Sequence, residues 1–403
     1  MRRAFGWGVV VVAFVAGARL ISGSRPATDA EIRGRAVASL RFLSDDLEGK
    51  ADRMQRLFPE GRAFTLALTG IAWTHVGLED ADVDDALPHA RRALEAALAP
   101  ASLDPFGPTA ELPHGLFYDA WATRLQTGVV RLARHRRDDL EADTSGLRAR
   151  CRRLRSALED GPLFPDSYPG MAWPADAVVA AAALEGCART VDPSSRAAAR
   201  AWVRRASESA DRGTGLMPHA AGASAPRGSS TALMIPFLIE VDSAFGAGQY
   251  RHALEAFPAS LLGVLPTMRE YPKGTDGQGD IDSGPLVAGI SAPASVVSVA
   301  AARSVGDLET ASALLASTEW IGLPVAFAGR RRFAAGALPV GDAFVAWAST
   351  VPLAPSRAGP TFQGWRARWR WTGAVLVALA LGLTAAMLRR QSPSRASLAT
   401  MGR

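Results

Sequence analysis

Apolar residues recur at helical spacing along most of the 403-residue chain. Between Asp29 and Leu57, the residues Ile32, Ala36, Leu40, Leu43, Leu47, Met54 and Leu57 share one face and charged residues fill the other. That pattern predicts an amphipathic helix ended by Pro59. Further helices are expected over Phe64–Val76, Asp82–Leu98, Leu116–Arg136, Leu140–Leu158, Ala175–Cys187, Pro193–Ala210, Ser229–Val241, Gln249–Phe257, Ser283–Ser304, Asp307–Ser317 and Asp342–Ser349. No long alternating run predicts a strand. Some of these helices are amphipathic and arginine-rich, such as Leu140–Leu158, and others are almost wholly small and apolar, such as ADAVVAAAAL at 175–184. The contrast suits an all-α fold with two layers of helices, one covered on nearly all sides and one facing water.

The two ends read differently. Arg2 and Arg3 precede an apolar run from Ala4 to Ala18, the arrangement of a signal peptide or signal anchor over residues 1–22. Trp371–Leu388 carries no charge and is bracketed by Arg366, Arg368 and Arg370 on one side and Arg389 and Arg390 on the other, with Trp365, Trp369 and Trp371 at interfacial positions. Residues 366–390 are therefore expected to form a transmembrane helix followed by a short basic tail, 391–403. If both ends span, both termini lie on one side. The arginines near them then favour the inside, leaving an exported domain over residues 23–365 in the cell envelope.

Composition adds limits rather than a function. The net charge is +6 and Arg greatly outnumbers Lys, but the arginines are interleaved with acids along helices, so nucleic acid is not the expected partner. The two cysteines, Cys151 and Cys187, match no metal or redox spacing, and either a disulfide or two buried thiols would suit them. The long Gly/Pro-rich connections at 99–114, 160–174, 211–228 and 258–285 hold most of the unusual chemistry.

Four stretches stand out, each before an apolar helix. LPHGLFYD (112–119) contributes His114. In YPGMAWPAD (168–176), Pro174 suits a first helical turn, Asp176 falls in that turn, and Tyr168 and Trp173 lie beside it. The third combines His219 with PRGSS (226–230), where Arg227 suits a carboxylate or phosphate, Gly228 allows close approach, and Ser229 or Ser230 can cap. The fourth, REYPKGTDGQGDIDSGP (269–285), contains Glu270, Tyr271, Asp280 and Asp282. An Asp-x-Asp pair can share a divalent ion, but the run lacks the glutamate of an EF-hand loop, and neither a metal nor a cofactor is expected. Paired carboxylates of different environment also suit general acid–base work.

An all-helical chain with YPGMAWPAD before one inner helix and GDIDSGP before another resembles the α/α toroid enzymes, over roughly residues 30–350. These include the glycoside-processing six-hairpin enzymes and the linalool dehydratase/isomerase type. The resemblance implies a ring of helical hairpins, flanked here by the two terminal spans, with aromatic and acidic residues from inner-helix starts gathered at one end. Asp282 and Asp176 are the expected acid–base pair, assisted by His219 and Tyr168. Arg227, Glu270, Asp280 and His114 would bind or position substrate, and Trp173 and Tyr271 would stack on it. The implied ligand is sugar-like or prenyl-like and the reaction that of a lyase, hydrolase or isomerase. The linalool type is associated with a site cysteine, whereas Cys151 and Cys187 lie on helices outside the loop motifs. A non-catalytic glycan- or lipid-binding scaffold of the envelope remains the alternative, and the oligomeric state is left open.

Overall fold

The computed structural model describes residues 2–222, 225–280, 283–355 and 361–389. Seventeen α-helices lie among the described residues. They are α1 (Arg2–Gly23), α2 (Asp29–Ser44), α3 (Leu47–Gln55), α4 (Gly61–Glu79), α5 (Ala86–Leu98), α6 (Pro100–Leu103), α7 (Gly115–Arg136), α8 (Glu141–Thr144) and α9 (Leu147–Asp160). Then follow α10 (Pro174–Thr190), α11 (Ser195–Ser207), α12 (Gly228–Val241), α13 (Ser243–Ala256), α14 (Ala292–Ser304), α15 (Leu308–Gly322), α16 (Pro339–Thr350) and α17 (Trp365–Arg389).

The chain divides into two compact units. The first holds α1 and α17, the two helices among the described residues that are long and apolar enough to cross a membrane. They pack antiparallel, with Gly6 beside Met387, Gly17 beside Gly373 and Gly23 beside Trp369. Only glycine fits at the crossing, because a Cβ on Gly17 would lie 2.7 Å from the Gly373 carbonyl oxygen. α1 continues unbroken through Arg19, and both helices leave Val12, Phe14, Leu379 and Leu381 exposed, a surface that suits lipid better than water. The indole N–H of Trp369 donates to the Val264 carbonyl at 2.9 Å.

The second unit is mostly helical. Helices α4, α7, α10, α12, α14 and α16 pack each against the next in that order, and α16 packs back on α4. These are the deeply buried helices: every residue of α10 from Pro174 to Cys187 is buried. Less buried helices back them, with α5 against α4, α9 and α11 against α10, α13 against α12, α15 against α14 and α2 against α16. In α9 only Leu147, Cys151, Leu154, Ala157 and Leu158 are buried, one stripe at helical period between its arginines. Cys151 and Cys187 are disulfide-bonded and tie α9 to α10.

Several boundaries differ from the sequence pattern. The expected helix over 29–57 is broken at Asp45–Asp46, and that over 140–158 at Ser145–Gly146, where Gly146 is left-handed. The helix expected from Ser283 begins only at Ala292. Before it, β3 (Ile290–Ser291) pairs antiparallel with β2 (Leu265–Arg269), which in turn neighbours β1 (Pro258–Leu261). A second short hairpin, β4 (Val325–Phe327) and β5 (Arg330–Arg332), turns through Ala328 and Gly329, both at positive φ as a tight hairpin turn requires. These strands are too short to show a period of two.

Candidate functional site

The loops before successive apolar helices are stitched to one another by backbone. The N–H of Leu116 donates to the Asp166 carbonyl at 2.9 Å, Ala221 to Ala172 at 3.0 Å, and Gly228 to Glu270 at 2.7 Å. The last contact depends on glycine, since a Cβ on Gly228 would lie 2.1 Å from the Arg269 carbonyl oxygen. The Met268 N–H reaches the Ser295 hydroxyl on α14 at 2.9 Å. Segments far apart in sequence thus meet at the N-terminal ends of α7, α10, α12 and α14.

The centre of this arrangement is Arg227, the residue before α12. Its Nε donates to Glu270 Oε1 at 2.8 Å, its guanidinium pairs with Asp280, and it lies 5.3 Å from the centre of the Tyr271 ring. The Glu270 side chain is fully buried. Its Oε1 also accepts from the Ser229 hydroxyl at 2.6 Å, while Oε2 and the Arg227 Nη2 have no partner among the described residues. Asp280 Oδ1 accepts from the backbone and hydroxyl of Ser283 at 2.9 and 3.0 Å. Burial alone would raise the Asp280 pKa. The Arg227 guanidinium and the Ser283 bonds outweigh it and hold the carboxyl well below the usual carboxylate range. The Tyr271 hydroxyl donates to the Gln278 carbonyl at 2.9 Å, folding the Gly-rich run over its own ring.

His219 joins from the next loop. Its Nδ1 lies 2.8 Å from the Ser230 hydroxyl, its Nε2 is 3.4 Å from Arg227, and its ring is 5.0 Å from that of Trp173. Burial, and then the Arg227 charge, push its pKa down to about 4. The imidazole is therefore neutral at pH 7. With Arg227 facing Nε2, the consistent tautomer carries its proton on Nδ1 and donates to Ser230. Asp176 is buried in the first turn of α10, three residues beyond Trp173.

Six of the residues singled out in the sequence, Trp173, His219, Arg227, Glu270, Tyr271 and Asp280, are linked by these contacts. His114 and Tyr168 belong to a second, aromatic group at the start of α7. The Tyr168 ring stacks on Phe117 at 5.7 Å, and the His114 ring meets Tyr118 edge-on at 5.6 Å. Asp282 lies outside the described residues. Among the described residues, no group of three or more His, Cys, Asp or Glu could hold a metal ion.

Two features escape the sequence pattern. Ser229 and Ser230 are not caps: Arg227 occupies the N-cap position, no side chain caps α12, and the two hydroxyls serve Glu270 and His219 instead. Asp119, in α7, is buried, and desolvation raises its pKa despite the arginines nearby. Its place at the end of the LPHGLFYD stretch was its only signal. Compared with known proteins, the chain matches no family model and no curated protein sequence.

Proposed function

We propose that the larger unit is an α/α toroid, exported and tethered to a membrane through α1 and α17, and that its loop end performs acid–base chemistry on a sugar-like or prenyl-like molecule. The toroid reading rests on the packing order of α4, α7, α10, α12, α14 and α16, which returns on itself, and on the less buried helices that back it. Export is supported by the Cys151–Cys187 disulfide, a bond that persists in oxidising compartments.

The observation that carries the chemistry is the meeting of Arg227, Glu270, Asp280 and His219 beside Trp173 and Tyr271. One guanidinium faces two carboxylates, and the imidazole is neutral, so the group leans negative. Such a site disfavours anionic substrates and favours a neutral one that gains positive charge as a bond breaks. A glycosyl cation and an allylic cation both meet that description. In this reading Asp176 and Asp282 exchange protons with the substrate, and His219 and Tyr168 assist. Arg227, Glu270, Asp280 and His114 orient it, while Trp173 and Tyr271 supply apolar faces.

The test is a mass-spectrometric screen of the full chain in nanodiscs against neutral glycosides, polyols and prenyl alcohols. Turnover that falls about 100-fold or more in Asp176→Asn and Asp282→Asn, with the fold retained, supports the reading. A non-catalytic glycan- or lipid-binding scaffold is favoured by one observation, that Arg227, Glu270 and Asp280 largely satisfy one another. Binding without turnover, unaltered in both variants, would establish that alternative.

A further inference from the structure

Beyond the loop end, the side chains shared by the apolar helices change character in layers. On α7, Phe117, Trp121, Arg124 and Arg131 follow one another at steps of four, three and seven residues, so they share one face. The same logic puts Phe64 and His75 on one face of α4, and Phe237 and Glu240 on one face of α12. The aromatic members meet: Phe64 lies 5.0 Å from Phe117, 5.4 Å from Trp121 and 5.3 Å from Phe344, while Phe237 lies 5.5 Å from Trp121 and 5.7 Å from Trp347. Past this aromatic layer, toward the C-terminal ends of the helices, come His75, Arg124, Arg131 and Glu240. Ser230 and Glu240 are about 15 Å apart along α12, so this group is separate from the His219 site.

The basic groups here exceed their partners. Arg124 is buried; one of its terminal nitrogens donates to Glu240 at 2.6 Å, and its Nε has no partner among the described residues. Arg131 is half-buried and takes no hydrogen bond or ion pair among the described residues. His75 Nδ1 is buried without a partner among the described residues. Burial, then the charges of Arg124 and Arg131, push the His75 pKa down to about 3, so its ring is neutral and has an N–H to donate. Burial and the neighbouring Arg124 also depress Arg131. Arg303 and Arg189 also act on His75 and Arg131, respectively, but are paired with Asp29 and Glu185, so two guanidiniums are left with one carboxylate, Glu240, in a partly buried place. The negative ends of the helix dipoles offset only part of that excess. Glu240 keeps 27% of its side chain exposed and Arg131 is half-buried, so the group borders solvent.

We propose that His75, Arg124 and Arg131 bind a phosphate-type anion, either free phosphate or the phosphodiester of an anionic lipid headgroup. Two guanidinium forks on one face of α7 and an imidazole N–H on α4 suit a tetrahedral anion with several oxygens better than a planar carboxylate. Glu240 competes with the anion for Arg124, so it tunes the affinity.

The experiment uses the full chain in phosphatidylcholine nanodiscs, titrated with inorganic phosphate at constant ionic strength and followed by thermal melting. A parallel arm replaces the lipid with phosphatidylglycerol. Stabilisation by inorganic phosphate identifies a free anion as a source, and stabilisation by phosphatidylglycerol alone identifies the headgroup. In either arm Arg131→Gln should weaken the effect about tenfold, and Glu240→Gln should strengthen it about threefold. Melting that responds to neither phosphate nor phosphatidylglycerol would overturn the proposal. So would an Arg131→Gln protein that responds like the wild type.

Discussion

Replacing Arg227 with methionine leaves Glu270 fully buried, with the Ser229 hydroxyl as the only partner of its carboxylate among the described residues. Breaking a buried ion pair from one side costs about 3–5 kcal/mol, because the remaining charge is stranded. Asp280 adds little to that cost, since 44% of its side chain is exposed and its Ser283 bonds survive. Glu270→Gln should be milder, about 1–3 kcal/mol, since Arg227 keeps Asp280 and the amide keeps an acceptor for Ser229. The informative variant is the double one, Arg227→Met with Glu270→Leu. It removes both charges, and apolar replacement of a buried pair is often neutral. Chemical denaturation of the full chain should therefore find the double variant more stable than Arg227→Met alone by about 2 kcal/mol or more. Additive losses would refute the burial argument. The same substitution frees Asp280 from the charge that depresses it. In the wild type that depressed carboxyl contributes stability above its unfolded pKa of about 4, and the contribution is lost as pH falls through the lower folded value. In Arg227→Met this acid-range loss should shrink.

Three further outcomes follow from single features. Burial raises Asp342 to about 7, and its carboxyl accepts from the Phe333 N–H. Its folded pKa lies above its unfolded one, so stability present at pH 4 should decline toward pH 7 by up to about 4 kcal/mol. Asp342→Asn should flatten that decline, and an unchanged pH profile would contradict it. Reducing the Cys151–Cys187 bond, which spans 36 residues, should cost about 4 kcal/mol of unfolding free energy, and an unshifted denaturation midpoint would count against it. Gly373→Leu introduces a side chain where even a Cβ would lie 2.6 Å from the Gly17 carbonyl oxygen. Crosslinking between Gly6→Cys and Met387→Cys should then fall, and undiminished crosslinking would show that the helix pair tolerates the bulk.

What the sequence made legible follows from the range over which each signal acts. Helical periodicity is local, so α4, α7, α10 and α12 are readable from their own residues. The contrast between ADAVVAAAAL and the arginine-striped α9 also separates covered from half-covered helices. Helix ends were less readable: the break at Ser145–Gly146 interrupts a pattern that continues on either side, and the Ser283–Ile290 segment is apolar enough to imitate a helix. In the site, composition singled out Arg227, Glu270 and Asp280, because acids, aromatics and glycines cluster in connections. The partnership of Ser229 with Glu270 spans 41 residues, and the aromatic contact of Phe64 with Phe344 joins opposite ends of the unit. Neither is encoded in any local pattern. Arg124 and Arg131 were not singled out for the same reason: spacing tells which residues share a face, not what that face meets.

The central claim is that the loop end carries out proton transfer rather than binding alone. Its most direct test is steady-state kinetics of Asp176→Asn in the full chain, on whichever compound of the panel the wild type converts. The account predicts that kcat falls about 100-fold or more while KM shifts only a few-fold, because the carboxyl acts in the transition state. An unchanged kcat in a folded variant would contradict it.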